Sequence, residues 1–364
     1  MVRGPVEPDA ERPWQRDGPS VHAEGHGLAS VVVNGPLPAG KLPVKLLRRV
    51  LDEFAPMPSE VLLGPAIGED ACALELGGGV VVVVATDPIT LAGQHIGRHA
   101  VTVNANDIAV MGVRPRWFLM TALFPVGSTN ADVESLFSDV HQTLEQIGAT
   151  LVGGHSEVSP AVTRPVVVGQ MLGVAEHGSF VSTAGARPGD LLVQVGPAPV
   201  EGAAVLAADP RARRAGLGPE VLRAAAAALD EPGISVVDSA ILSATLGATS
   251  LHDPTEGGVA AALNELAAAA QVRLSLARER LLWFEPGVAI CEAFGADPWA
   301  TLASGSLLAT FHPGDADRAV EQLNATGSRA AVIGTVEEGA GVVDTRGEAI
   351  PWPARDELSR LLES

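Results

Sequence analysis

Residues 85–115 read ATDPITLAGQHIGRHAVTVNANDIAVMGVRP, and this stretch decides the fold. The apolar run from Val80 leads into it and predicts a strand over Val80–Thr86 that delivers Asp87 at its end. A helix follows from about Gly97 to Val110. Asp107 lies inside that helix among Val103, Ile108, Val110 and Met111, a setting in which an unpaired carboxylate is expensive to bury. An acidic residue at a strand end and another on the next apolar helix are candidates for function as well as for structure.

Working outward, the same alternation continues. On the N-terminal side, PVKLLRRVLDEF puts Val44, Leu47, Leu51 and Phe54 on one helical face, and residues 1–35, which mix Pro, Gly and charge without a period, read as a disordered tail. On the C-terminal side come a strand at Trp117–Phe124, a helix at Asn130–Ile147, and strands at Thr150–Gly153 and Pro165–Val174. The Gly/Pro-rich TAGARPGD within Ser182–Asp190 marks a boundary before the strand LLVQV. Ala-rich helices follow at Glu201–Ala208, Pro219–Leu229, Val236–Leu246, Glu256–Ala270 and Pro286–Phe294, then a strand at Ser306–Phe311, a helix to about Ala325 and a strand at Ala331–Val336. The expectation is an α/β (α+β) chain of two lobes, 36–181 and 182–345, with a helical tail over 346–364.

Composition narrows the function classes. The 364 residues are 47% hydrophobic and carry a formal net charge of -19, which gives them a core and removes the basic field that nucleic acid or an anionic membrane would require. An acidic protein that binds an anionic nucleotide must bring Arg or Lys, or divalent cations held by its carboxylates. The apolar runs are strand-length, so no membrane span is expected. Cys72 and Cys291 are far apart and outside any C-x-x-C spacing, which predicts two buried thiols in a reducing cytoplasm.

The lysines are Lys41 and Lys45 alone, and no G-x-x-x-x-G-K-[ST] loop exists, which excludes a P-loop. What recurs is a carboxylate beside Gly, Asn or Thr at the ends of predicted elements: Glu69-Asp70 in IGEDACAL, Thr86-Asp87, Asn104-Ala105-Asn106-Asp107, and Glu157 after Gly153-Gly154-His155-Ser156. In HDPTEGGVAAALNELA (252–267), Asp253 precedes Pro254, Thr255 is a candidate helix cap, and Gly257-Gly258 are placed to bring N–H groups toward an anion at the helix start. Single instances suit a capping role equally well. Their repetition suggests a metal–phosphate site.

In order, IGEDACAL (67–74), residues 85–115, GATLVGGHSEV (148–158), VEGAAVLA (200–207), HDPTEGGVAAALNELA (252–267) and SGSLL (304–308) resemble the superfamily of aminoimidazole ribonucleotide synthetase, selenophosphate synthetase, thiamine monophosphate kinase and the hydrogenase-maturation protein HypE. The resemblance spans about 35–343 and is nearest to HypE. It implies a PurM-like fold whose N-terminal lobe dimerises and binds ATP with Mg²⁺. Carried over by position, Asp70, Asp87, Asp107, Asp253 and Glu157 are expected to hold metal. Thr86, Asn104, Gly153, Gly154, Thr255, Gly257 and Gly258 are expected at the nucleotide. Lys41, in the Gly-bearing segment PAGKLP, resembles an arm that covers phosphates. His95 matches a substrate-contacting position, and His155 stands where relatives have Asp or Glu.

The resemblance further implies an ATP-dependent enzyme that activates an amide, carbamoyl or other oxygen acceptor, a homodimer, and a maturation-factor partner. HypE acts on its own C-terminal cysteine, and this sequence ends Leu361-Leu362-Glu363-Ser364, so a different acceptor is expected. A kinase resembling thiamine monophosphate kinase and an ATP-binding partner without turnover are the alternative readings.

Overall fold

Five consecutive valines, Val80–Val84, cannot be satisfied by a helix face, and they form the start of a ten-residue strand of the first sheet. The computed structural model describes residues 36–90, 95–176 and 178–362, and residues from Ala39 onward form one compact unit. The tail expected over 1–35 lies outside the described residues. In chain order the elements are α1 (Val44–Leu51), β1 (Val61–Leu63), β2 (Cys72–Glu75), β3 (Val80–Ile89), α2 (Ile96–Ala109), β4 (Pro115–Phe124), α3 (Asn130–Ile147), β5 (Thr150–Val158) and β6 (Val166–Glu176). They continue with β7 (Leu191–Val195), α4 (Glu201–Ala208), α5 (Pro219–Ala226), α6 (Val237–Thr245), β8 (Ala248–His252), α7 (Gly258–Ala270) and β9 (Arg273–Leu276). The last are α8 (Glu285–Ala293), β10 (Leu307–Phe311), α9 (Pro313–Ala325), β11 (Ala330–Glu337), β12 (Gly341–Asp344) and α10 (Glu357–Leu362).

Two six-stranded sheets result, in the orders β1-β2-β3-β6-β4-β5 and β12-β9-β11-β7-β10-β8. Neighbours are antiparallel except β4–β5, joined through α3, and β9–β12. The strand–helix alternation of the sequence therefore does not produce parallel sheets, because most helices connect strands that return elsewhere in the sheet. Sequence periodicity missed the short strands β1, β2, β8, β9 and β12, of three to five residues, which are too brief to show a repeat.

Helix α2 packs on the first sheet so closely that every residue in it except Arg98 is buried. Small side chains allow this: a Cβ at Gly97 would stand 2.5 Å from the Leu136 carbonyl of α3, and one at Gly173 of β6 would stand 2.9 Å from Ile108. The Thr129–Asp132 capping box starts α3 and Gly148, with φ 72°, ends it. One apolar cluster joins Ile108, Phe118 and Met171 to Val236, Val237 and Ala240 beside the second sheet, so both layers share a core. A second cluster packs Leu263 and Leu266 of α7 on Leu274 and Leu276. Each such fully buried leucine is worth about 1.5–3 kcal/mol of apolar transfer.

Candidate functional site

Four predicted carboxylates come from four elements. Asp70 ends the loop before β2, Asp87 lies in β3, Asp107 is in the last turns of α2, and Asp253 follows β8. Asp107 and Asp253 are 4% and 2% exposed. Both oxygens of Asp253 are buried, and neither has a hydrogen-bond partner among the described residues. Burial first, then its charged neighbours, push Asp253 up to about 7, with Asp70 and Asp87 raising it and His252 and Lys41 opposing. Asp87 is pushed up to about 6 by burial, against Lys41 and reinforced by Asp70 and Glu256. Burial and then Asp87, Asp253 and Asp70 hold Asp107 well above the ordinary carboxylate range. A cluster of buried carboxylates that raise one another is an environment that a divalent cation relieves.

The fit to Mg²⁺ rests on that chemistry: oxygen donors only, and in Asp253 two oxygens with no partner of their own. Among the described residues no three His, Cys, Asp or Glu side chains are already gathered around a single point.

Asn104 serves Asp87 directly. Its Oδ1 accepts from the Asp87 N–H at 2.9 Å, and its Nδ2 donates to the Ala100 carbonyl at 2.8 Å and the Asp87 carbonyl at 3.3 Å. A fully buried amide with all these bonds has no free donor, so the expected contact with nucleotide is replaced by a hold on the backbone of Asp87. Thr86 is exposed, and its hydroxyl donates across the sheet to the Gly169 carbonyl at 2.8 Å.

Lys41 reaches this cluster from the segment before α1. Its Nζ lies 3.4 Å from Thr255 Oγ1 and 3.6 Å from Glu265 Oε1, and its backbone N–H donates to Glu256 at 3.1 Å. Burial works against the ammonium, but Glu265, Asp70, Glu256 and Asp87 together hold its pKa above the ordinary lysine value.

The Gly257-Gly258 turn departs from expectation. The Gly257 N–H donates to Asp356 Oδ2 at 2.7 Å, and the Gly258 N–H to the Thr255 carbonyl at 3.0 Å. Neither amide is free for an anion. Thr255 does not cap α7 through its side chain either, since Gly257 is the N-cap residue and no side-chain cap is formed. The glycines are required by the backbone: Gly258 has φ 64°, and a Cβ there would stand 2.5 Å from the Trp299 carbonyl. Burial pushes Asp356 up to about 7 in spite of the N–H groups of Gly257 and Leu358, with Glu256 and Glu201 adding to the rise.

Three predicted groups stand apart. Asp87, Gly169, Met120 and Gly154 occupy one row across β3, β6, β4 and β5, as do Thr86, Gln170, Leu119 and Gly153 in the next. Three strand spacings, about 14 Å, therefore separate Gly153 and Gly154 from Thr86 and Asp87. On the same exposed edge strand, His155 Nε2 faces Glu157 Oε2 at 3.2 Å, so Glu157 is not brought to the other carboxylates within this chain. His95, with φ 59° at the start of α2, pairs with Asp139 of α3 at 3.3 Å.

Sequence reasoning missed His252 and Glu265. His252 is 2% exposed, its Nδ1 2.7 Å from Asp70 Oδ2 and its Nε2 3.1 Å from Glu265 Oε2. Burial opposes its charge, and the two carboxylates override that and hold its pKa well above the ordinary histidine value. Glu265 is held down to about 2 against burial by the His252 hydrogen bond and Lys41. It is the one carboxylate in GVAAALNELAAAA, so the argument that singled out Asp107 applies to it equally. Glu69, the other carboxylate of IGEDACAL, is occupied by the main chain: it accepts from the Thr183 and Ala184 N–H groups at 3.2 and 3.1 Å and from the Ser182 hydroxyl at 3.2 Å.

A family model described as AIR synthase related protein, N-terminal domain, matches residues 68–175, and the corresponding C-terminal domain matches residues 187–345. The chain belongs to the AIR synthase related family. Among relatives of this AIR synthase related chain, a hydrogenase expression/formation protein HupE of Azotobacter chroococcum is 31% identical over 281 residues, covering 74% of this chain and 79% of the relative. A carbamoyl dehydratase HypE of Azotobacter vinelandii is 31% identical over 264 residues, covering 70% and 75%. Three solved structures share the PurM-like fold. A HypE–HypF complex gives a TM-score of 0.67 at 22% identity, over 84% of this chain and 99% of that one. HypE in complex with ATP gives 0.64 at 24%, over 85% and 99%. A ThiL protein complexed with AMPPCP and TMP gives 0.66 at 22%, over 86% and 95%. The AIR synthase related family thus accounts for both sheets.

Proposed function

We propose that this chain is a Mg²⁺-dependent, ATP-using enzyme that activates an amide, carbamoyl or other oxygen acceptor by phosphorylation. The observation that carries this reading is Asp253, a buried carboxylate with two unpartnered oxygens in electrostatic contact with Asp70, Asp87 and Asp107. The HupE and HypE relatives support the carbamoyl class.

These four residues would hold Mg²⁺, which when bound neutralises the triphosphate. Asn104 fixes the Asp87 backbone so that its carboxylate need not be reoriented. Lys41 supplies a positive charge beside the cluster, from a half-exposed side chain held by Glu265 and Thr255 where a phosphate would meet it. Thr86 and Thr255 add hydroxyls beside the cluster. Gly153, Gly154, His155 and Glu157, remote within one chain, are assigned to a homodimer in which the exposed β5 edge reaches the partner's nucleotide. His95 is assigned to the acceptor.

The lobes 36–181 and 182–345 are read as the ATP-binding and second domains, in a cytoplasmic protein with a maturation-factor partner of the HypF kind. Among the described residues no helix is long and apolar enough to cross a membrane.

The test is calorimetric titration with ATP, with and without Mg²⁺, followed by assay of the same samples for ADP and phosphate. Mg²⁺-dependent binding with turnover that rises on adding a carbamoyl donor is the expected result. No ATP binding under either condition sinks the reading.

A further inference from the structure

The loop that carries Asp70 is anchored to the rest of the chain twice over without help from the Asp70 side chain. Glu69 accepts the Thr183 and Ala184 N–H groups and the Ser182 hydroxyl. Gly68 lies so close to α7 that a Cβ would stand 2.8 Å from the Glu265 carbonyl. Holding the loop therefore does not explain why a fully enclosed imidazole should be spent on Asp70.

We propose that His252 is a positioning residue for the acidic cluster, fixing the Asp70 carboxylate through Nδ1 and, through Nε2 and Glu265, holding Lys41 beside the same cluster. It deepens the function proposed above and rests on it. The geometry is a line of alternating charge types: Asp70 Oδ2 to His252 Nδ1 at 2.7 Å, His252 Nε2 to Glu265 Oε2 at 3.1 Å, and Glu265 Oε1 to Lys41 Nζ at 3.6 Å. The line starts on a segment 182 residues away from His252 and returns to one near the start of the described chain. Both imidazole nitrogens are used, and one Asp70 oxygen is engaged, so the carboxylate cannot rotate freely about its Cβ–Cγ bond. Groups behind a metal-binding carboxylate orient it, and their loss weakens metal affinity about 10–100-fold. The residue adjoins Asp253 in sequence, so the same strand end that presents one carboxylate orients another.

Two amides separate the roles of the two ring nitrogens. In Asn the amide nitrogen sits two bonds from Cβ, as Nδ1 does, and in Gln three bonds, as Nε2 does. His252→Asn retains a donor for Asp70, and His252→Gln retains one for Glu265. In full-length protein titrated with MgCl₂ at fixed ATP and followed by calorimetry, H252Q should need about ten-fold more Mg²⁺ for half-maximal ATP binding, and H252N within about three-fold of wild type. Both should melt within a few degrees of each other without nucleotide, because each keeps one of the two charge-assisted bonds and loses the other.

Equal Mg²⁺ requirements in wild type, H252N and H252Q, with wild type binding Mg²⁺-ATP, overturn this inference alone. No Mg²⁺-dependent ATP binding by wild type overturns the function and this inference together. Should H252Q not fold, E265Q decides the matter, since it leaves the His252–Asp70 bond intact. It should keep the wild-type Mg²⁺ requirement while weakening ATP binding through Lys41, and a ten-fold rise in its Mg²⁺ requirement overturns the proposal.

Discussion

Asn104 brackets the peptide of Asp87, accepting from its N–H at 2.9 Å and donating toward its carbonyl at 3.3 Å. The pair fixes the main chain of β3 at the residue that carries the carboxylate. Asn104→Ala leaves the half-buried Asp87 N–H without its partner and removes a fully buried amide, at a cost of about 1 kcal/mol or more. Denaturant unfolding should show that loss, together with weaker Mg²⁺-dependent ATP binding. Unchanged stability would remove Asn104 from the argument.

Asp87→Asn and Asp253→Asn should each abolish Mg²⁺-dependent ATP binding in a protein that stays folded. The amides remove negative charge from a cluster in which the carboxylates already raise one another. Circular dichroism and calorimetry on the two variants check both halves of the statement. Wild-type affinity in both would discard the metal assignment.

Without metal, stability should fall as pH rises from about 5 to about 8. Asp87, Asp253 and Asp356 have folded pKa values pushed up to about 6, 7 and 7 by burial, above the ordinary 3.8. A carboxyl with a raised folded pKa binds more protons folded than unfolded across that window, so folding weakens as the proton is lost. Glu265 acts in the other direction: held down to about 2, it contributes stability present above its ordinary value of 4.5 and lost as pH falls toward 2. Melting temperature should peak near mildly acid pH, and Mg²⁺ at pH 8 should restore it. A melting temperature that rises steadily from pH 5 to 8 contradicts this account.

Lys41→Met should have opposite effects on two ligands. Its ammonium is attracted by the carboxylates that would receive Mg²⁺, so removal should tighten binding of the metal alone. Binding of ATP should weaken, because the positive charge at the cleft mouth is gone. Parallel titrations with MgCl₂ and with Mg²⁺-ATP read the two signs, and a change of the same sign in both speaks against Lys41 as a phosphate-facing group.

Gly258→Ala combines φ 64° with a Cβ 2.5 Å from the Trp299 carbonyl and 2.7 Å from the Thr301 carbonyl. Strain of this kind costs about 1–3 kcal/mol before any displacement of α7. A melting temperature within a degree of wild type would show that the turn gives way freely.

Much of the cleft was legible because the relevant pattern is local. Asp107 stands out in its helix by being the one carboxylate among apolar neighbours, and Asp253 by the Pro and paired Gly after it. Glu265 carries the same signal as Asp107, a single carboxylate in an otherwise apolar helix. The partners of the Gly257 and Gly258 N–H groups were not legible, for a different reason. A glycine at a helix start predicts available N–H groups only if no other carboxylate arrives, and Asp356, 99 residues further on, takes the first of them.

The sequence by itself determined the longer helices and strands and the family, and it marked out the four aspartates as candidates, because periodicity, turn residues and short motifs act over a few residues. Tertiary structure alone decided which polar groups are spent and which remain unpartnered. That depends on burial and on meetings between distant segments: Asp70 with His252 and Glu265, Lys41 with Thr255, and Gly154 set three strands away from Asp87 by the strand order. Burial removes water as an alternative partner, so a carboxylate's chemistry follows from what the fold brings to it, and in Asp253 the fold brings nothing to either oxygen.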